Sequence, residues 1–145
     1  MAKQLNIFIE NRPGRLKSIT GILSEAGLNI HAFTIQDRGD FGLIKLIVDK
    51  PKEAYLALAD RGFACALKDI VAISIDDRPG NLLKLTTLLY DHQINVIDAY
   101  GFVIEPSKRG ICCLEVENLK NHPNIDQLIQ QEGFTILEDE KLYEI

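Results

Sequence analysis

Asn11-Arg12-Pro13-Gly14-Arg15-Leu16 returns 66 residues later (position 11 to position 77) as Asp77-Arg78-Pro79-Gly80-Asn81-Leu82. At the same spacing Leu5, Ile7 and Ile9 are matched by Val71, Ile73 and Ile75, and Leu28-Asn29-Ile30 by Ile94-Asn95-Val96. Gly42-Leu43 and Gly110-Ile111 are 68 apart, and Gly62-Phe63 and Gly133-Phe134 are 71 apart. Spacings that grow only between segments are what a duplicated fold with loop insertions produces. The chain therefore reads as two copies, with domains at 1–68 and 69–145.

Each copy carries the same alternation of periods. Residues 4–10 alternate as a half-buried strand with Leu5, Ile7 and Ile9 on one face. Arg12-Pro13-Gly14 breaks it, and Leu16, Ile19, Leu23 and Ala26 then recur at helical spacing up to a terminating Gly27. Residues 28–36 form a second strand, Asp37–Asp40 a polar turn, and Leu43–Val48 a third strand dense in branched side chains. Pro51 suits the first turn of a helix carrying Ala54, Tyr55 and Leu58, and Phe63–Leu67 supplies a fourth strand. In the second copy the strands are expected near 70–76, 94–104, 110–117 and 134–143. Its helices are expected near 80–92 and 122–132, the first with a core stripe of Leu82, Leu85 and Leu89. The class is α+β: two ferredoxin-like βαββαβ units, each with helices on one face of a four-stranded antiparallel sheet. A copy of about 70 residues has a small core, so side-by-side pairing of the copies is expected.

Bulk composition narrows the function. The 145 residues are 46% hydrophobic, with mean hydropathy +0.01, and no run approaches the roughly 20 apolar residues of a membrane span. The N-terminus enters a strand pattern directly, without the apolar core of a signal peptide, and a cytoplasmic location is expected. A net charge of −5, with no cluster of Lys and Arg, argues against nucleic acid. Cys65, Cys112 and Cys113 lack metal-ligand spacing and read as reduced thiols, and adjacent Cys112 and Cys113 must point to opposite strand faces. No nucleophile elbow, phosphate loop or dinucleotide fingerprint occurs. No catalytic residue, metal or cofactor is expected.

The chemistry is expected at the strand-to-helix turn. Gly14 allows a tight turn and close backbone approach, and the following amides, at the positive end of a helix dipole, form a seat for a carboxylate. Asn11 offers a donor and an acceptor, which suits a zwitterion. Asn29 and Asn95 open the second strands and are expected near the same loops. A plainer reading stands beside this one: Asn11 and Asp77 cap their helices, and Asn29 satisfies neighbouring backbone. His31, two residues beyond Asn29, is a further candidate for the site.

The run from Ile7 through Ile30, with Glu-Asn-Arg-Pro-Gly-x-Leu and Glu-x-Gly-x-Asn-Ile, resembles an ACT domain, and especially the regulatory ACT domain of bacterial phosphoglycerate dehydrogenase. Both copies carry the resemblance. It implies a protein that binds an amino acid at the interface between two such domains. The ligand would be held by Asn11, Arg12, Pro13, Gly14, Arg15, Leu16, Asn29 and Ile30, and by Asp77, Arg78, Pro79, Gly80, Asn81, Leu82, Asn95 and Val96. Ile9 and Ile75 stand where the dehydrogenase domain has a ligand-contacting histidine, so an apolar or branched amino acid is expected in place of serine. A homodimer and a separate regulated enzyme are the partners implied. The competing expectation is a non-catalytic subunit that docks onto a biosynthetic enzyme, with its loops purely structural.

Overall fold

A computed structural model describes residues 1–10 and 12–143 and resolves the chain into two compact units. The first comprises Lys3–Asp69 with Tyr143, the second Ile70–Leu142 with Met1 and Ala2.

In the first unit the order is β1 (Ala2–Ile9), α1 (Arg15–Glu25), β2 (Ile30–Asp37), β3 (Gly42–Val48), α2 (Pro51–Ala59) and the start of β4 (Ala64–Asp76). The strands lie in the order β2-β3-β1-β4. Leu5, Ile7 and Ile9 of β1 and Ile44, Leu46 and Val48 of β3 share one face, which packs on Ile19 and Leu23 of α1 and Ala54 and Leu58 of α2. Both helices thus cover the same side of the sheet, as the period-2 and period-3.6 patterns require. Ala26 falls outside the stripe and is exposed. The opposite face is unexpected for a strand read as half-buried. Gln4, Asn6 and Lys45 are buried there, with Gln4 Nε2 donating to Asn6 Oδ1 at 2.7 Å. A pleat assigns these positions to one face but says nothing of what covers it.

The second unit repeats the order with the rest of β4, α3 (Asn81–Asp91), β5 (Val96–Glu105), β6 (Arg109–Val116), α4 (Ile125–Gln131) and β7 (Thr135–Ile136). Its strands lie β5-β6-β4, with β7 on the other side of β4. Val71 and Ile73, Cys112 and Leu114, Leu85 and Leu89 of α3, and Ile125 and Ile129 of α4 form its core.

Two expectations are corrected here. The strand expected over 134–143 is only Thr135–Ile136, paired to Ser74 and Ile73, and Asp139–Tyr143 forms a helix, α5. Its sequence Glu138-Asp139-Glu140-Lys141 lacks alternating apolar positions, and acidic residues favour a helix start. Leu142 is fully buried, and the Tyr143 hydroxyl bonds the Lys3 backbone twice, accepting from its N–H at 2.7 Å and donating to its carbonyl at 3.1 Å. The core stripe of α3 also differs. Leu85, Leu88 and Leu89 are buried, whereas Leu82, in the first turn of the helix, is 55% exposed.

Candidate functional site

The two strand-to-helix corners have nearly the same backbone. Gly14 and Gly80 sit at φ 91°, with ψ of −16° and −19°. This left-handed conformation costs an L-residue about 1–2 kcal/mol, which is why both copies use glycine there. The Arg15 amide donates back to the Arg12 carbonyl at 3.2 Å, and the Asn81 amide to Arg78 at 3.3 Å. The next two amides of each helix, those of Leu16 and Lys17 and of Leu82 and Leu83, lie in a first turn without intrahelical acceptors, and the N-cap glycines have no side chain to cap them. The positive end of a helix dipole at such amides suits an anion.

Asn11 lies outside the described residues. Its counterpart Asp77 does not cap α3. It accepts the Ser107 amide on Oδ2 at 2.7 Å, and its own amide donates to the Lys108 carbonyl at 3.1 Å. Asp77 therefore holds the turn between β5 and β6, which is where the second copy carries its two extra residues. Asn81 braces the same corner, its side-chain amide donating to the Asp76 carbonyl at 3.0 Å. In the first copy Arg12 pairs with Glu10 across 3.3 Å, Pro13 is exposed, and Leu16 packs on the core. Arg15 borders a polar hollow with Glu10 and Arg61.

Asn29 and Asn95 are not beside the loops of their own units. Val96 pairs with Val116, at one end of the sheet, whereas Ile75 and Val103 both pair with Gly110, at the loop end. Seven strand steps separate Val96 from Val103, roughly 20 Å. The first helix carries the chain back across the sheet, so β2 and β5 begin at its far end. Asn29 instead exchanges backbone bonds with Asp49, its amide donating to Oδ1 at 3.0 Å and its carbonyl accepting at 3.1 Å. Asn95 donates from its side chain to Glu117 Oε2 at 2.9 Å. Ile30 packs on the first core. His31 falls in the bulge between Ile30 and Ala32, half-buried, with Nε2 lacking a hydrogen-bond partner among the described residues. The matching bulge recurs between Val96 and Asp98.

In the second unit an apolar cavity of about 640 Å³ runs between α3 and β5. Ile75, Leu82, Leu85 and Leu89 form one wall, Val96, Ala99, Gly101 and Val103 the other, and Asp77 and Arg78 stand at the loop end. This volume is in the range of small-molecule sites. The cavity thus brings together Asp77, Arg78, Leu82 and Val96 from the expected set, and excludes Asn95. Cys112 also lines it, and burial raises its thiol pKa. On the opposite face, burial pushes the Cys113 thiol up to about 12 despite a bond with Tyr100, and burial likewise raises Tyr100. These thiols are protonated at neutral pH and are not nucleophiles. Among the described residues no three His, Cys, Asp or Glu converge as a metal site, and no helix is long and apolar enough to cross a membrane.

The two units are copies of one ferredoxin-like fold, each with a glycine-cornered loop at the head of its first helix. The chain belongs to the family of ACT domain pairs, whose profile matches residues 1–145. It is similar to a solved protein of Bacteroides thetaiotaomicron at 30% identity, covering 99% of this chain and 96% of that one with a TM-score of 0.89. The regulatory subunit of aspartate kinase from Thermus thermophilus, ligand-free, shares the fold at 18% identity, over 90% and 92% of the chains, TM-score 0.63. The corresponding subunit from Thermus flavus does so at 16%, over 90% and 91%, TM-score 0.59. No curated protein matches the chain.

Proposed function

We propose that the protein is a regulator that binds a small amino acid between two ACT domains, with the two copies bounded at 1–68 and 69–145. The observation that carries this reading is the pair of matching corners at Gly14 and Gly80, each followed by first-turn amides that the glycine cannot cap. These amides would take the ligand's carboxylate. Because a loop and the asparagine of its own unit lie roughly 20 Å apart along the strand, one small ligand cannot touch both. A ligand bridging two domains, with the loop of one and the start of β2 or β5 of another, would reconcile them. Ligand binding would then favour one association state, which is how such a module would regulate a partner enzyme.

A thermal-shift screen of the twenty amino acids tests the reading. A ligand at 100 times its Kd adds about 2.7 kcal/mol of stability, so at least one should raise the Tm by several degrees. No shift from any of them at millimolar concentration would contradict it.

One observation favours a second reading, in which the loops are structural and the chain docks onto a biosynthetic enzyme. The Asp77 carboxylate is already engaged by Ser107. A pull-down in which Gly80→Ala retains the enzyme partner would support that reading. Loss of the partner with the same variant would favour the sensor.

A further inference from the structure

The first helices of the two copies differ on the side turned away from the core. Leu83, Thr87 and Tyr90 of α3 stand 66 residues beyond Lys17, Gly21 and Ser24 of α1. They recur at steps of four and three, so they form one stripe along the helix. Leu85, Leu88 and Leu89 hold the opposite side against the core, which leaves the stripe outermost. Leu83 is 69% and Tyr90 81% exposed. Apolar side chains thus occupy both sides of α3, and Lys84 and Asp91 are its only charged residues. A helix apolar all round is normally a buried one. By contrast, α1 keeps Arg15, Lys17 and Glu25 and the amphipathic pattern of a surface helix.

We propose that a second copy of this chain covers the stripe, with α3 packed against α3 in antiparallel fashion and α1 taking no part. The stripe matches its own image. It has a large side chain at each end and a smaller one at the centre, so a two-fold axis beside Thr87 lays Leu83 of one copy against Tyr90 of the other at both ends. The helix dipoles then run in opposite directions, the favourable sense. Each charged residue directly follows a stripe residue, so Lys84 of one copy faces Asp91 of the other. Parallel helices would set Lys84 against Lys84 and Asp91 against Asp91. Asp91 is exposed and has no ion pair among the described residues. Lys84 is already held by Glu132, so these charges fix direction more than affinity. The pairing needs no ligand and does not rest on the sensor reading.

The test is sedimentation velocity of the full chain, without added amino acid, between about 1 and about 100 μM, the range suited to an interface of modest area. The 16.3 kDa chain should sediment as a dimer at the upper end. Leu83→Lys combined with Tyr90→Ser, which places the first copy's residues on α3, should weaken association by roughly tenfold or more, with circular dichroism and Tm of the monomer unchanged. Leu56→Lys, at a leucine 58% exposed on α2, should leave the dimer as it is. Under mild oxidation Thr87→Cys, beside the axis, should link two chains through a disulfide. Leu83→Cys should not, because its image lies roughly 12 Å away along the helix. A wild type that stays monomeric across the range would overturn the proposal and leave α3 to some other protein. So would a dimer that survives the double substitution, or one that only Leu56→Lys disrupts. Linking at Leu83→Cys as readily as at Thr87→Cys would overturn the antiparallel arrangement. None of these outcomes bears on the amino-acid screen.

Discussion

The carboxylate of Asp77 accepts the backbone amide of Ser107 at 2.7 Å, tying the head of α3 to the turn between β5 and β6. Ser107 is at φ 61°, one of the few non-glycine residues in the left-handed region. The bond and the reciprocal link from the Asp77 amide to Lys108 give the longer second-copy turn a fixed geometry at the mouth of the cavity. Asp77→Ala should therefore loosen that turn. Its bond is exposed, so the expected loss of stability is about 1 kcal/mol, with hydrogen exchange at Ser107 faster and exchange in β1 unchanged. An unchanged Ser107 exchange rate would show that the turn holds itself.

Gly14→Ala and Gly80→Ala should cost the same, about 1–2 kcal/mol each. Among the described residues nothing lies within 4 Å of a Cβ at either position, so the expected cost is that of backbone conformation. In a domain of this size that lowers Tm by roughly 4–8 °C per kcal/mol. Differential scanning calorimetry of the two variants checks it. Neutral substitutions would mean the loops can adopt another conformation.

Leu85→Ala and Leu82→Ala separate the observed α3 stripe from the expected one. Leu85 has no exposed surface, and its truncation should cost about 2–5 kcal/mol in urea unfolding. Leu82 is 55% exposed, and its truncation should stay within about 0.5 kcal/mol. A large effect at Leu82 would restore it to the core.

Alkaline pH should expose the buried thiols. The folded Cys113 pKa is raised from 9.0 to about 12 by burial. Over that interval the unfolded chain binds fewer protons than the folded one, so stability falls as pH rises from about 9 towards 12. The contribution is fully present below pH 9. Denaturation followed between pH 7 and 11 should show this decline, and Cys113→Ala should reduce it, with buried Cys112 and Tyr100 carrying the remainder. A wild-type curve level through pH 11 would contradict the burial.

Much of this was readable from residues. The doubled Arg-Pro-Gly corner, the alternation of Leu5, Ile7 and Ile9, and the stripe through Ile19 and Leu23 set the element order and the helix-covered face. Residues 134–143 are less legible, because Phe134 and Ile136 promise a strand that the charged residues after Glu138 do not continue. The site was less legible. Periodicity marks faces but not ends, so Asn29 and Asn95 looked close to loops that lie across the length of the sheet. The cavity is lined on β5 by Ala99 and Gly101, and small residues on an edge strand leave no hydrophobic signal. Aligning the two copies at 66 residues did contain the clue, in Phe33 against Ala99 and Ile35 against Gly101. The clasp of Asp77 on Ser107 likewise coincides with the two-residue insertion, yet a hydrogen bond across 30 residues has no local signature.

The most direct test of the account is amide chemical-shift mapping with the amino acid that most raises Tm. Binding between domains through the helix heads predicts perturbation of the Leu82 and Leu83 amides or of Leu16 and Lys17, together with Asn29 or Asn95 at the far strand ends. Saturable binding that moves none of the helix-head amides would contradict it.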